Sequence, residues 1–193
     1  MKYYSISLFF FVSFALSAQN NTVKTANNSP TNSQASTKSE IKKIEINWMT
    51  WEEAYEANKL NPKKVFVDIY TSWCGWCKKM DKSTFQDAGI IKELNDNFYA
   101  IKFDAEQKNN IIFNEATFKY VGQGRRGSHQ LAYALLDGRM GYPAFVMLDE
   151  NFHRIVLAPG YKRADELMVQ LKYSSTEAYK KINYQEFEKG YKQ

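Results

Sequence analysis

The sequence predicts an α/β domain with a central mixed β-sheet flanked by helices. Two β-prone runs, at residues 65–70 and 98–104, are separated by helical sequence. Strand, helix and strand in this order indicate a parallel pair joined by a right-handed crossover. Two further runs, at residues 144–148 and 154–157, are joined by a turn-forming segment, which indicates an antiparallel hairpin. Parallel and antiparallel pairs in one sheet make the predicted sheet mixed.

Local signals predict the elements around the first strand. Residues 44–46 alternate between apolar and polar side chains, which indicates a short edge strand. Thr50 and Glu53 match a capping box, so a helix is predicted from there to about Asn58, ended by Asn61-Pro62. Further helices are predicted over residues 78–85 and 88–97.

The segments on either side of the third strand are predicted in the same way. Residues 111–113 and 117–121 form a predicted hairpin, and residues 122–127 a flexible loop rich in Gly and Arg. Ser128 is placed to cap a helix that runs to about Leu136 and stops at Asp137-Gly138. The last two helices are predicted at residues 164–173 and 177–189.

The N-terminus has the pattern of an export signal. Lys2 precedes an apolar stretch over residues 6–16, and Ala18 is a small residue suited to cleavage. The alternative is an uncleaved membrane anchor, although the stretch is short for a bilayer. We therefore predict a signal peptide at residues 1–18 and a mature protein in the periplasm, or secreted. An Asn/Ser/Thr-rich tether is predicted at 19–43, and a folded domain at 44–193.

Composition argues against several classes of partner. The net charge is +5, and the basic residues are interleaved with acidic ones, whereas a nucleic-acid surface would cluster them. Arg125-Arg126 is the exception: a solvated loop is the favoured interpretation, and contact with an acidic partner is the alternative. His129 and His153 do not form the close ligand pairs that structural zinc uses. The sequence therefore predicts no nucleic-acid partner, no metal and no cofactor.

Both cysteines of the chain lie in the tetrapeptide Cys74-Gly75-Trp76-Cys77, at the junction of a predicted strand and helix. Two thiols spaced i, i+3 there can close into a disulfide and reopen. A purely structural disulfide is the alternative, but so short a loop constrains the unfolded chain little. The helix N-terminus favours a thiolate, so Cys74 is the predicted nucleophile. Cys77, one turn further on and less exposed, is the predicted resolving thiol.

Residues 66–78, with Trp73 and Lys78 flanking the cysteines, resemble the active-site strand and helix of the thioredoxin superfamily. The local pattern looks more similar to periplasmic thioredoxin-like reductases, such as the C-terminal domain of the DsbD type, and the resemblance covers about residues 48–173. It implies a thioredoxin-like fold and makes Asp68 the base that deprotonates Cys77, through water. Burial would raise the pKa of this carboxyl. A purely structural acceptor is the alternative for Asp68.

Two features depart from the family pattern. A lysine that some thioredoxins place beside the buried acid has no clear match, because Ala100 falls near that position. The segment from about residue 106 to 140 is longer than the single helix expected there, so an insertion is predicted before the proline strand.

Residues 141–146 are similar to the cis-proline loop of thioredoxins. The resemblance implies that Pro143 is cis and packs beside Cys74, and that the backbone of Tyr142 pairs with an extended partner segment. An ordinary trans proline opening an edge strand is the alternative. Trp73 and Trp76 are predicted to form an apolar rim for substrates, and Gly75 allows a partner's backbone to approach.

These observations predict a monomeric thiol–disulfide oxidoreductase that reduces disulfides of exported, cysteine-containing proteins. A reducing dithiol outside the cytoplasm needs an electron donor, in the membrane or the periplasm, that this chain does not supply. The alternative is a protein-binding or chaperone-like module that uses the same scaffold without turnover. The residues between the cysteines tune the redox balance, and Trp76 there leaves the direction of exchange open.

Overall fold

The computed structural model describes residues 44–122 and 127–191. The strands in this part of the chain are β1 (Trp48–Met49), β2 (Lys64–Tyr70), β3 (Phe98–Asp104), β4 (Ile111–Phe113), β5 (Ala116–Phe118), β6 (Tyr120–Val121), β7 (Ser128–His129), β8 (Ala144–Leu148) and β9 (Arg154–Pro159). The α-helices are α1 (Trp51–Leu60), α2 (Gly75–Lys82), α3 (Ala88–Asn97), α4 (Gln130–Leu135), α5 (Ala164–Ser175) and α6 (Tyr184–Tyr191).

The central sheet has five strands in the order β1-β3-β2-β8-β9. β2 pairs parallel with β3 and antiparallel with β8, and β9 continues the sheet antiparallel to β8. The predicted mixed α/β sheet is therefore confirmed. Asp68 lies in the middle of this arrangement, opposite Lys102 of β3 on one side and Phe145 of β8 on the other.

The sheet is buried on both faces because its central strands are almost continuously apolar, and successive side chains point to opposite faces. One face, with Val67 and Val146, packs against Trp51 of α1 and Leu131 of α4. The opposite face packs against α2, α3 and α5 through Phe66, Phe145, Met80, Leu94 and Leu171. Asp68 shares its strand with these apolar residues and is itself buried, so the fold places a carboxyl group inside the core.

The first half of the chain follows the sequence prediction with two corrections. α1 begins at the predicted capping box, where Thr50 Oγ1 accepts from the Glu53 N–H at 3.2 Å and Glu53 accepts from the Thr50 N–H at 2.8 Å. The predicted edge strand at 44–46 is wrong: β1 lies further along, where Trp48 and Met49 pair with β3. The helix predicted over 78–85 begins earlier, at Gly75, and ends at Lys82, before a separate 3-10 turn at Thr84–Gln86.

The predicted insertion contains two short hairpins in its described part. β4 and β5 pair antiparallel, as predicted, across Asn114 and Glu115, which both have positive φ. The predicted strand 117–121 is divided, because Tyr120 and Val121 pair with β7 instead. Ser128 is part of that pairing and does not cap the next helix.

His129, one residue later, caps α4 through its ring. The helix ends where predicted, because Asp137 and Gly138 both have positive φ.

The C-terminal prediction of one helix at 177–189 is wrong. Glu177 has a φ of 59° and ends the preceding helical segment, so a 3-10 turn at Ala178–Lys180 and a separate α6 follow. The rings of Tyr184 and Phe187 then lie 5.4 and 5.3 Å from that of Tyr173 on α5. These aromatic residues serve packing, as the sequence indicated.

The predicted signal peptide at 1–18, the tether at 19–43 and Arg125-Arg126 lie outside the described residues. Within residues 44–122 and 127–191, the helices are too short or too polar to cross a membrane.

Candidate active site

Cys74 and Cys77 form a disulfide with an S–S distance of 2.05 Å. Cys74 is the N-cap of α2, and its sulfur accepts a hydrogen bond from the Cys77 N–H at 3.1 Å. The free N–H groups and the dipole of a helix N-terminus stabilise negative charge on an atom in this position. The fold therefore favours the thiolate form of Cys74 after reduction.

The sequence prediction that Cys74 is clearly the more exposed of the two cysteines needs correction. Cys74 is 4% exposed and Cys77 2%, because the Cys74 side chain turns back onto the first turn of its own helix. The difference between the two is too small to assign their roles. The capping position distinguishes them instead, and it favours Cys74 as the nucleophile.

Asp68 lies in β2 and is 1% exposed. Its Oδ2 accepts a hydrogen bond from Lys102 Nζ at 2.6 Å, while Oδ1 is buried without a partner among the described residues. Burial raises the pKa of this carboxyl from its ordinary 3.8 to about 6, and the charge of Lys102 only partly offsets that effect. The predicted raised pKa is confirmed, and a carboxyl titrating near neutrality is suited to accept and release a proton.

Lys102 is the functional residue that the sequence reasoning missed. It lies directly opposite Asp68 in the parallel register of β2 and β3, so the expectation that Asp68 has no lysine partner is wrong. Lys102 also pairs with the half-exposed Asp81 of α2. Burial by itself lowers the pKa of Lys102, but its interactions with the two carboxylates outweigh burial and raise the pKa. Lys102 is thus held as a cation beside Asp68.

A polar cleft gives solvent access to Lys102. Among the described strands, β1 pairs with β3 only at Ala100 and Ile101, and none of them pairs with this edge of β3 further along. The cleft that opens there is lined by Thr50, Glu52, Tyr70, Lys102, Asp104, Gln107 and Asn109, together with Trp51 and Phe103. The cleft therefore brings solvent to the lysine of the Asp68–Lys102 pair.

The Tyr142-Pro143 peptide bond is cis, as the resemblance implied. Pro143 is buried, and its carbonyl accepts a hydrogen bond from the Gly160 N–H at 2.8 Å. Burial, with the charges of Glu106 and Asp104, raises the pKa of the Tyr142 hydroxyl to about 12, so it stays protonated. The packing of Pro143 beside Cys74 stays a prediction.

The predicted aromatic rim is on the surface. Trp73 is 60% exposed and Trp76 56%. Trp73 Nε1 donates to Glu106 Oε1 at 3.0 Å, and its ring meets Tyr142 edge-on at 5.9 Å. A Cβ atom added at Gly75 would meet nothing within 4 Å, so the strip between the two tryptophans is open to a partner.

The two histidines take part in ordinary structural contacts. His129 is fully buried: its Nδ1 accepts from the Leu131 N–H at 3.2 Å, and its Nε2 donates to the Asn109 carbonyl at 3.1 Å. His153 lies in an exposed turn beside Asp149. The described residues hold no cluster of three or more His, Cys, Asp or Glu side chains arranged to bind a metal ion.

Comparison with known proteins identifies the family. The Thioredox_DsbH family, described as a protein of unknown function, DUF255, matches residues 27–166. The uncharacterized protein B0495.5 of Caenorhabditis elegans is 36% identical over 83 residues, which make up 42% of this chain and 11% of that protein. Thiol:disulfide interchange protein DsbD of Campylobacter jejuni (strain RM1221) is 35% identical over 60 residues, 31% of this chain and 10% of that protein.

The chain thus spans about a tenth of the length of these curated relatives. A solved structure named DsbH Oxidoreductase superposes with a TM-score of 0.50 at 18% identity, covering 76% of this chain and 95% of that one. At that identity the superposition shows the fold alone, and the fold is that of thioredoxin. Since the family match covers more than half of the sequence, the chain belongs to the Thioredox_DsbH family of the thioredoxin superfamily.

Proposed function

We propose that this protein is a thiol–disulfide oxidoreductase that reduces disulfides of exported proteins. The observation that carries the proposal is the Cys74–Cys77 disulfide at the N-terminus of α2, with the cap sulfur on Cys74. The pair within a thioredoxin fold supports a thiol–disulfide redox role, and the similarity over 60 residues to a protein named for thiol:disulfide interchange agrees with it. Reduction as the direction, and exported proteins as the substrates, belong to the proposal.

In the first step, the reduced protein attacks a substrate disulfide. The Cys74 thiolate forms a bond to one substrate sulfur while the substrate S–S bond breaks, and the other substrate sulfur leaves as a thiolate. The product is a mixed disulfide between Cys74 and the substrate. The helix N-terminus supports this step because it keeps a fraction of Cys74 deprotonated near neutral pH.

In the second step, Cys77 resolves the mixed disulfide. Asp68 accepts the Cys77 proton, and the Cys77 thiolate attacks Cys74 Sγ, which closes the disulfide and releases the second substrate thiolate. Two electrons pass to the substrate, and its two thiolates take up protons from Asp68 and from solvent. Lys102 is a positioning residue here, because it orients Asp68 and prevents its pKa from rising further.

The cycle closes when a second dithiol protein reduces Cys74–Cys77 by the same exchange. We propose that this donor is a membrane or periplasmic dithiol, because the N-terminal residues 1–18 have the composition of an export signal. The donor restores both thiols and leaves with a disulfide of its own, so electrons and protons balance over one turnover.

Insulin reduction in the presence of dithiothreitol tests the proposal. The wild-type protein is expected to accelerate precipitation of the insulin B chain, and Cys74→Ala to abolish the acceleration. In a separate reaction from which dithiothreitol has been removed, pre-reduced Cys77→Ala is expected to accumulate a mixed disulfide with insulin, visible on a non-reducing gel, because the resolving thiol is absent. A wild-type rate no higher than that of Cys74→Ala would end the proposal. A reduction potential near that of DsbA, rather than thioredoxin, would reverse its direction.

The exposed Trp73 and Trp76 also suit a second function, the binding of extended proteins without turnover. This alternative predicts that partner capture survives when both cysteines are replaced by serine. Loss of capture in Cys74→Ser, with the circular dichroism spectrum unchanged, would favour the enzyme over the binding module.

A further inference from the structure

Two tryptophan–tyrosine pairs frame the Cys74–Cys77 disulfide. Trp73, before the first cysteine, contacts Tyr142 at 5.9 Å between ring centroids, and Trp76, before the second, contacts Tyr161 at 5.4 Å. Tyr142 lies two residues before β8, and Tyr161 lies two residues after β9. Because Ala144 pairs with Pro159 and the Gly160 N–H donates to Pro143, Tyr142 and Tyr161 come next on either side of this ladder. The frame therefore has a first side, formed by Trp73 and Tyr142, and a second side, formed by Trp76 and Tyr161.

The two sides carry opposite charge. On the first side, Glu106 accepts from Trp73 Nε1 at 3.0 Å, and Asp104 lies close enough to accept from the Glu106 N–H at 2.9 Å. On the second side, Lys79 Nζ lies 4.8 Å from the Trp76 ring centroid and 5.2 Å from that of Tyr161. The first side is therefore the acidic side, and the second side is the basic side.

The charges of Glu106 and Lys79 are both unpaired within the described part of the molecule. In the described part of the chain, Glu106 has no cationic partner and Lys79 no carboxylate partner within ion-pair distance. Arg163, two residues after Tyr161, is by contrast paired with Asp165. An unpaired charge at the edge of an exposed aromatic surface is available to a ligand, and complementary charges at an interface rim steer and orient the partner.

We propose that this frame selects substrate segments in which the reactive cysteine lies between a basic residue and an acidic residue. The basic residue contacts the acidic side at Glu106, and the acidic residue contacts the basic side at Lys79. The proposal rests on the disulfide-reducing function above and names its substrate class. Two aromatic walls bind the apolar parts of an extended chain, while the charge pair decides which way the chain lies. Glu106 and Lys79 act as specificity-determining residues.

Single-turnover reduction of three peptides tests this directly. Each peptide has one cysteine joined by a disulfide to a chromogenic aromatic thiol, with the flanks Lys-Ala-Cys-Ala-Glu, Glu-Ala-Cys-Ala-Lys or Gln-Ala-Cys-Ala-Gln. Protein reduced beforehand and freed of reductant attacks the peptide sulfur and releases the aromatic thiolate, whose colour gives the rate. Rates are divided by those with dithiothreitol, which removes differences in the peptides' own reactivity.

The wild-type protein is expected to prefer one of the two charged peptides over the other by about three- to tenfold, the range expected of two exposed ion pairs. The preference should shrink as ionic strength rises. Lys79→Gln combined with Glu106→Gln should remove it, and Lys79→Glu should weaken or reverse it. Glu106→Gln is the right change because its amide oxygen still accepts from Trp73 Nε1.

The matched control is Lys82→Gln combined with Glu115→Gln. It changes the net charge by the same amount, with one substitution on the same helix and one in the same insertion, and it should keep the preference.

Equal normalised rates for the two charged peptides would overturn the proposal, and so would a preference that survives in the Lys79→Gln, Glu106→Gln variant. The neutral peptide separates this failure from failure of the function itself. If the wild-type protein reduces none of the three faster than Cys74→Ala, the oxidoreductase proposal is wrong. If it reduces the neutral peptide but does not distinguish the charged ones, only the specificity proposal is wrong.

Discussion

Two opposing effects set the pKa of the Asp68 carboxyl. Burial raises the pKa of its carboxyl, and Lys102 at 2.6 Å lowers it, with a result of about 6. A carboxyl with that pKa is mostly ionised at neutral pH, and in the proposed mechanism it can both accept a proton and return it. Lys102 itself is kept charged by a second carboxylate, Asp81.

Replacing Lys102 by Met should raise the pKa of Asp68, because the cation that favours the carboxylate is lost while the burial stays. The acid limb of the pH profile for mixed-disulfide resolution should then move upward by at least about one pH unit. Stopped-flow tryptophan fluorescence between pH 5 and about 9 measures it. Lys102→Arg, which keeps the charge, is the control and should move the limb little. An unmoved limb in Lys102→Met would show that Asp68 is not the base.

At this scale the sequence identified the cysteines and the buried acid but not the lysine. Cys74, Cys77 and Asp68 lie within ten residues of one another, and the resemblance of this contiguous segment to thioredoxins implied the role of Asp68. Lys102 lies 34 residues from Asp68, and strand register brings the two together. The expected position at Ala100 was off by two residues, which leaves the face of the strand unchanged and alters only the pairing.

At the scale of elements, the β4–β5 hairpin shows a turn that its own sequence does not favour. Its two-residue connection places both Asn114 and Glu115 at positive φ, 48° and 65°. Such a turn matches the twist of the strands and prefers Asn followed by Gly. Asn114 suits its position, whereas Glu115 carries a side chain where glycine is favoured.

Glu115→Gly should therefore stabilise the protein by about 0.5–1 kcal/mol, the relief at positive φ being partly offset by the greater freedom of glycine in the unfolded chain. Urea unfolding of the oxidised protein measures the free energy. The same substitution at Glu56, inside α1, should destabilise by a similar amount. If both variants lose stability, the turn geometry is not the controlling factor.

Element prediction succeeded where one segment contained its own signal. The strands β2, β3 and β8 are apolar runs with clear ends, and α1 carries its capping box at Thr50. It failed for short pieces whose structure depends on a distant partner. β1 forms at Trp48 because β3 lies beside it. Ser128 pairs with Val121, so the N-cap of α4 falls on the next residue, His129.

For the whole molecule, the buried carboxyl of Asp68 links stability to pH. Its pKa in the folded protein, about 6, is above its ordinary 3.8, so the folded state binds this proton more tightly than the unfolded state does. Stability attributable to this group therefore falls as pH rises from about 4 to 6, and the cost is complete above that range.

Asp68→Asn removes this titration. Between pH 4 and pH 7, the free energy of unfolding of Asp68→Asn relative to wild type should shift in favour of the variant by up to about 3 kcal/mol. Urea unfolding of the oxidised proteins at the two pH values gives the difference. Asp96→Asn, a change at an exposed helix carboxyl, is the control and should show no such gain. A difference independent of pH would mean that Asp68 is already ionised at its ordinary pKa in the folded protein.

The resemblance to thioredoxins implied the cis proline at Pro143, and the sequence by itself determined the α/β class, the order of the main elements and the Cys-Gly-Trp-Cys turn at a helix start. These depend on periodicity, caps and contiguous motifs, which a linear chain displays directly. The tertiary structure alone decided three features: the ion-pair network of Asp68, Lys102 and Asp81, the contact of Trp76 with Tyr161, and the placement of Glu106 beside Trp73 and of Lys79 beside Trp76. Each of these joins residues from different elements, and their meeting depends on strand register and helix packing that no local signal records.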